Sequence, residues 1–356
     1  MSNGATDARL VSRSELGTLL TEALSGRRVF GSSCENDEVH LRQITPDRVD
    51  IPPHRSIEPP KPLFFRTREN LGSYLGDDGT PESEPRALVG ATACDLAALK
   101  MLDWVFLEGD VVDPYYETLR DSTLVVSVDC TEPKDECFCT WLGRKPYPEG
   151  AFDINLSPIS DGYVVQIGSE RGREAMGEIL EKCPAASADH LQQRDQMRGQ
   201  AEQHVDATVS ELGLHMTDDF QERVRESIDL ALWEELAEKC VECAACNFIC
   251  PTCHCFLLAD VEAKEDFKRF KNWDACLYEA FALEASGVNP RPRRAARLHG
   301  RLEKKFDFLK TNTGDWGCTG CGRCIEACAG EIDMRETIQK ITAPEGQKKR
   351  TEAANA

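Results

Sequence analysis

Two runs near the C-terminal end decide how this chain is read: Cys240-x2-Cys243-x2-Cys246-x3-Cys250-Pro251 and Cys318-x2-Cys321-x2-Cys324-x3-Cys328. Each has the spacing of a loop that holds a cubane [4Fe–4S] cluster. Three thiolates at i, i+3 and i+6 on a tight loop cap three corners of one cube. The fourth must come from elsewhere, because a helix leaves the loop and carries its own last cysteine away. In two-cluster proteins that cysteine serves the other cluster. Cys240, Cys243, Cys246 and Cys328 are therefore assigned to one cluster, and Cys318, Cys321, Cys324 and Cys250 to the other. The competing chemistry is zinc, which also takes four thiolates, in a structural or adaptor protein. Zinc ribbons pair one C-x2-C with another, so the third cysteine at i+6 would be surplus. A disulfide framework belongs to short exported chains.

The chain has 356 residues, enough for two domains, with 29% charged and 41% apolar residues. Its formal charge of −20 argues against nucleic acid and anionic membrane partners. No apolar run reaches the ~18 residues of a membrane span. Met1 to Arg13 lacks the apolar centre of a signal peptide. Seventeen cysteines without export imply a reducing compartment and a cytoplasmic location.

Residues 1–12 read as a loose tail. Ser14 to Leu24 carries Leu16, Leu19, Leu20 and Leu24 at helical spacing, with Ser14 as N-cap. Residues 27–51 read as short strands, and the proline-rich stretch Ile51 to Phe65 as an extended loop. Ala87 to Ala91, Leu96 to Leu107 and Thr123 to Val128 give strand, helix, strand, an α/β pattern continued by a strand at Tyr163–Ile167 and a helix at Glu170–Lys182. Residues 184–215 are polar and helical. Phe220, Val224, Ile228, Leu232 and Leu236 form the stripe of a helix leading into the first cysteine run. Helical patterns at Asp274 to Ala285 and Arg294 to Leu309 fill the gap between the runs. The expected fold is α+β. An N-terminal α/β domain (1–205) and a connecting helix (206–238) precede a largely helical two-cluster ferredoxin-type domain (239–340) and a disordered tail (341–356).

Other residues add candidate chemistry. Cys94 and Cys130 follow the C-terminal ends of strands, where ligands sit in open α/β sheets. With Cys137 and Cys139 they make a third thiolate set, a candidate metal site for a third iron–sulfur cluster. The competing reading is four unrelated buried cysteines. Cys34 and Cys183 stand alone and read as structural. Cys253, His254 and Cys255 read as neighbours that hydrogen-bond cluster sulfurs rather than as ligands. Arg291, Arg293, Arg294, Arg297, Arg301, Lys304 and Lys305 make a basic stretch in an acidic chain. It either offsets cluster charge, docks an acidic partner, or is a solvated helix face. No G-x-G-x-x-G and no G-x4-G-K-[ST] is present. Clusters held wholly by cysteine leave no open iron for substrate. The chain therefore reads as a non-catalytic electron conduit. A flavin or NAD enzyme with an unrecognised fold in residues 50–205 is a further alternative.

The ordered set Thr92-Ala93-Cys94-Asp95, Asp113-Pro114-Tyr115-Tyr116, Asp129-Cys130-Thr131-Glu132-Pro133 and Cys137-Phe138-Cys139 is informative. So are Cys250-Pro251-Thr252-Cys253-His254-Cys255-Phe256 and Trp273-Asp274-Ala275-Cys276 further on. Together they resemble the iron–sulfur β subunits of cytoplasmic NAD(P)-linked [NiFe] hydrogenases (sulfhydrogenases), a family that includes the A subunit of anaerobic sulfite reductase. The resemblance spans about residues 50–335. It implies two [4Fe–4S] clusters in an electron-transfer subunit. Such a subunit relays electrons between a flavin- and NAD(P)H-binding subunit and a catalytic hydrogenase or sulfite reductase subunit. The sequence departs from the family where Ala-Thr-Ala-Cys-Asp stands in place of Arg-Pro-Cys-Asp at Cys94, and where Ala329 rather than proline follows Cys328.

Overall fold

The computed structural model describes residues 8–343 except 37, 77–78, 80–82, 230 and 264–265. Ten strands occur in chain order: β1 (Ala8–Ser12), β2 (Arg28–Glu35), β3 (Glu38–Gln43), β4 (Arg68–Ser73), β5 (Arg86–Ala91), β6 (Thr123–Val128), β7 (Ile154–Ile159), β8 (Gly162–Ile167), β9 (Phe256–Ala263) and β10 (Asp266–Trp273). The chain divides into two compact units. The first takes in residues 1–65, 80–135 and 145–205, and the second 66–79, 136–144 and 206–356.

The first unit is built on a seven-stranded sheet in the order β1-β8-β7-β6-β5-β2-β3. The four strands β2, β5, β6 and β7 run parallel, and antiparallel strands close both edges. Every residue of β5 and β6 is buried, as expected for parallel strands covered on both faces. Leu16, Leu19 and Leu20 from helix Arg13–Ala23, with Met176 and Leu180 from helix Glu170–Lys182, pack on Val89, Val126, Leu156 and Val165. The expected N-terminal tail is instead partly strand. Residues 8–12 pair antiparallel with β8, and Ser12 rather than Ser14 caps the following helix through a capping box with Glu15. Gly162 sits opposite Ser12 in that ladder, and a side chain there would overlap the Val11 carbonyl.

The proline-rich stretch ends in a short helix, Lys61–Phe64, rather than remaining extended throughout. Its function is visible at Pro53, whose carbonyl accepts the amides of Thr131 and Glu132 at 2.8 and 2.9 Å. A carbonyl with no competing neighbouring N–H thus pins the loop after β6. Asp129 fixes the other side. Its buried carboxylate accepts from Arg198 at 2.6 and 3.1 Å and from Asn155 at 3.0 Å.

The second unit has an aromatic core. Trp141 meets Phe220 edge-on at 5.0 Å, and Phe220 meets Phe306 at 5.5 Å. It is less helical than expected. The stretch Phe256–Trp273 is a β-hairpin, and β10 also pairs with β4, giving a three-stranded antiparallel sheet in the order β4-β10-β9. Asp274–Ala285 is not an α-helix but a series of turns with a short 3-10 segment at Glu279–Ala282. The stripe from Phe220 to Leu236 is likewise broken, into helices Phe220–Glu226 and Leu232–Lys239 with a 3-10 turn at Ser227–Asp229. The break carries a reason: Ser227 turns its hydroxyl back onto the Val224 carbonyl at 2.7 Å, and its own carbonyl accepts the Trp233 indole at 2.6 Å. Ile228, counted in the stripe, is 52% exposed. The tail expected to be disordered begins helically, since helix Met334–Thr342 includes residues 341 and 342. Residues 344–356 lie outside the described residues. Among the described residues no helix is long and apolar enough to cross a membrane.

Truncating Leu156 or Phe306 to alanine is expected to destabilise its unit by about 3 kcal/mol, from lost burial and an unfilled cavity. Thermal melts of the two variants check this, and a change below ~1 kcal/mol in either would contradict the assignment of those core positions.

Candidate functional site

Both cysteine runs lie in the second unit and share one backbone solution. In the first, Glu242 and Ala244 take positive φ of 54° and 57°; in the second, Gly320 and Gly322 take 68° and 73°. These are the second and fourth positions after each leading cysteine, so each loop turns through two left-handed residues to aim three sulfurs inward. For a non-glycine residue such a turn costs roughly 1 kcal/mol or more. Glycine is required in the second run for space. A Cβ on Gly320 would stand 2.5 Å from Cys139 Cα, and one on Gly322 2.6 Å from Glu136. In the first run Glu242 offsets its strain by binding Arg294 at 3.0 Å and Arg297 through its other oxygen.

The eight cysteines of the two runs line two cavities. Cys240, Cys243, Cys246 and Cys328 line one cavity with Leu236, Leu277, Leu298 and Ile332 around them. Cys250, Cys318, Cys321 and Cys324 line a second, with Pro251, Thr319 and Met334. Cys324 reaches the wall of both. Backbone amides point at the sulfurs: Gly320 N–H to Cys318 at 3.4 Å and Ile332 N–H to Cys328 at 3.3 Å. Burial pushes the bare thiols of Cys318 and Cys324 up, to about 11 and about 12, so ionising them requires a metal or positive charge.

That charge is supplied by members of the basic stretch. Helix Arg294–Glu303 continues through a π-helical turn, Lys304–Phe308, into Leu309–Thr313. Along one face it presents Arg294, Arg297, Arg301 and Lys305. The first two hold Glu242. Arg301, 7% exposed, lines both cavities and donates to the Cys246 carbonyl at 3.0 Å. Lys305, 3% exposed, lines the second cavity and donates to Thr252 Oγ1 at 2.7 Å, which in turn sits 3.4 Å from Cys250 Sγ. The π turn frees the Lys305 carbonyl for the Gly317 amide at 2.8 Å, one residue before the second run. Neither Arg301 nor Lys305 pairs with a carboxylate among the described residues. Burial alone pulls the Lys305 amine towards neutrality, but the facing sulfurs of Cys250 and Cys253 outweigh it and raise its pKa. The basic stretch is thus not a solvated face at Arg297, Arg301 and Lys305.

Other expected residues fall as follows. Cys94 opens helix Ala93–Leu107 after β5, and Cys130 follows β6, both in the first unit. Cys137 and Cys139 belong to the second unit, where Cys137 Sγ contacts the Cys321 carbonyl at 3.8 Å and the Phe138 amide donates to Gly320 at 2.8 Å. Neither unit by itself contains all four. Cys34 is exposed, and Cys183 packs on the core of the first unit. Cys253 is hydrogen-bonded to Cys250, and His254 to the Thr252 carbonyl at 3.0 Å.

Two crossed sets of four thiols, each in an apolar cavity with an unpaired buried cation, fit a cubane iron–sulfur cluster in donor type and in charge. Residues 239–332 match the family model of the 4Fe–4S dicluster domain, which supports iron–sulfur clusters in this part of the chain. Over most of its length it is similar to "Sulfhydrogenase 2 subunit beta" of Pyrococcus furiosus, with 29% identity over 323 residues, 88% of this chain and 92% of that protein. The resemblance to hydrogenase β subunits read from the ordered motifs is borne out by this match.

Replacing Lys305 or Arg301 by methionine is expected to lower the reduction potential of the clusters. At an effective dielectric of about 20, a unit charge roughly 7 Å away is worth about 2 kcal/mol, on the order of 100 mV for one electron. Redox-poised EPR reads the shift; an unchanged or raised potential in both variants would contradict the charge-balancing role.

Proposed function

We propose that the chain is the electron-transfer subunit of a multisubunit oxidoreductase, taking single electrons from a flavin- and NAD(P)H-binding subunit and passing them to a catalytic hydrogenase subunit. The observation that carries this reading is the pair of cavities, each lined by its own crossed set of four cysteines and both reached by Arg301. Bound there, two [4Fe–4S] clusters supply one-electron redox chemistry and no open coordination site.

The chain's own residues hold and insulate that chemistry. Cys240, Cys243, Cys246 and Cys328 form one proposed ligand set, and Cys318, Cys321, Cys324 and Cys250 the other. Arg301 and Lys305 compensate negative charge where water cannot. Leu236, Leu277, Leu298 and Ile332 give the first cavity an apolar lining. Cys243 is exposed and its neighbour Val241 is 63% exposed, so the first cavity opens to the surface where a partner subunit can approach. The named relative favours a hydrogenase as that partner over a sulfite reductase. Cys94, Cys130, Cys137 and Cys139 are proposed as ligands of a further cluster on their sequence grouping alone.

Anaerobically purified protein is expected to hold about eight iron and eight labile sulfide per chain for two clusters, or about twelve with the upstream set. Cys243→Ser and Cys321→Ser are each expected to lose about four iron, and the double variant about eight. Stoichiometric zinc in place of iron, or single variants that retain full iron, would overturn the assignment.

A further inference from the structure

Cys255 and Cys276 lie outside both sets of four. They bracket the β9–β10 hairpin, in which Phe256 and Trp273 are register partners. The Asp274 amide donates to the Cys255 carbonyl at 3.0 Å, which ties the two ends of the hairpin together. The thiols themselves are in contact: Cys255 is hydrogen-bonded to Cys276, and its sulfur also takes the Cys276 backbone N–H. Asn247 Nδ2 donates to Cys276 Sγ at 3.2 Å. Both cysteines are partly exposed and open on a third pocket, whose wall carries Arg301, Lys304 and Lys305.

Cys255 and Cys276 touch each other and line neither of the two cavities that the eight cysteines line. Sulfurs in contact leave no room for a cubane between them and are placed to share a covalent bond. A thiolate-stabilising amide, a partner thiol and a cationic wall together make the microenvironment of a reactive cysteine pair. The neighbours also differentiate the two. The hydrogen bond from Cys255, with Asn247 and the two buried cations, outweighs burial and holds Cys276 down at about 6. Donating that bond, together with burial, raises Cys255.

We propose that Cys255 and Cys276 form a thiol–disulfide exchange site for low-molecular-weight disulfides that carry carboxylates. The Cys276 thiolate attacks one sulfur of the incoming disulfide. That S–S bond breaks, and the departing thiolate takes a proton from water. Cys255 then releases its proton to water, and its sulfur attacks the Cys276 sulfur of the mixed disulfide. The second thiolate leaves and is protonated. The substrate gains two electrons and two protons, and Cys255 and Cys276 lose them in forming their own disulfide. Excess thiol drives the same steps backwards. The substrate carboxylates face Lys304 in the pocket wall.

The test uses the anaerobic holoprotein in glutathione buffers of varied thiol-to-disulfide ratio. Samples are acid-quenched, alkylated and peptide-mapped without reduction. Expected are a Cys255–Cys276 cross-link that rises and falls reversibly with the ratio, and a glutathione adduct on Cys276 in the Cys255→Ser variant. Lys304→Gln is expected to slow reaction with oxidised glutathione by roughly threefold or more, and to leave reaction with neutral hydroxyethyl disulfide unchanged. Both thiols alkylated at every ratio would overturn the proposal. So would loss of iron in Cys255→Ser or Cys276→Ser relative to wild type, which would make the pair cluster ligands. Iron content measured on the same samples keeps this outcome separate from the electron-transfer reading, which fails only if wild type itself lacks the clusters.

Discussion

Two positive charges buried among sulfurs are the constraint on which the second unit depends. Taking Arg301 and Lys305 out of water costs several kcal/mol each unless negative charge meets them. Among the described residues no carboxylate does. What surrounds them is cysteine: Cys246, Cys324 and Cys328 on one side, Cys250, Cys318 and Cys321 on the other. As neutral thiols these would leave the cations uncompensated. As thiolates around anionic clusters they complete the balance. One helix face therefore does three jobs in sequence, with Arg294 and Arg297 clamping the first loop, Arg301 standing against both cavities, and Lys305 bracing the second loop through Thr252.

The two loops reach the same backbone by different means. The second uses Gly320 and Gly322 because Glu136, Phe138 and Cys139 press against it. The first uses Glu242 and Ala244 in the same left-handed conformation, with Glu242 held by Arg294 and Arg297. The loops are equivalent in sulfur placement but not in mechanical support. The first also has an exposed cysteine, Cys243, which suits the end of an electron path that meets another subunit.

Much of this was legible in the sequence, for identifiable reasons. Cluster spacing is a short-range covalent pattern, so two candidate sets of four follow from it directly, while the presence of Cys324 in the wall of both cavities does not. Parallel strands buried on both faces gave unbroken apolar runs at residues 86–91 and 123–128. The hairpin at 256–273 had no such signature. Phe256, Leu257 and Leu258 are consecutive and all more than a third exposed, so no alternation marks a buried face. The helix expected at 274–285 relied on apolar spacing that buries no continuous stripe, with Phe281 and Leu283 exposed. The strand at 8–12 owes its existence to β8, 150 residues away, and local reading cannot see such a partner. The basic stretch was visible as charge, but which of its members turn inward depends on helical phase across a π turn. The contact between Cys255 and Cys276 depends on the hairpin, and was hidden with it.

The central claim is that these sulfurs and cations enclose a pair of redox-active iron cubes. EPR of the dithionite-reduced, oxygen-protected protein tests it most directly. Expected are broadened, magnetically interacting signals from two one-electron centres, integrating to about two spins per chain when both are fully reduced. A brown colour absent from purified and reconstituted protein, with no EPR signal and zinc bound at the cysteines, would contradict it.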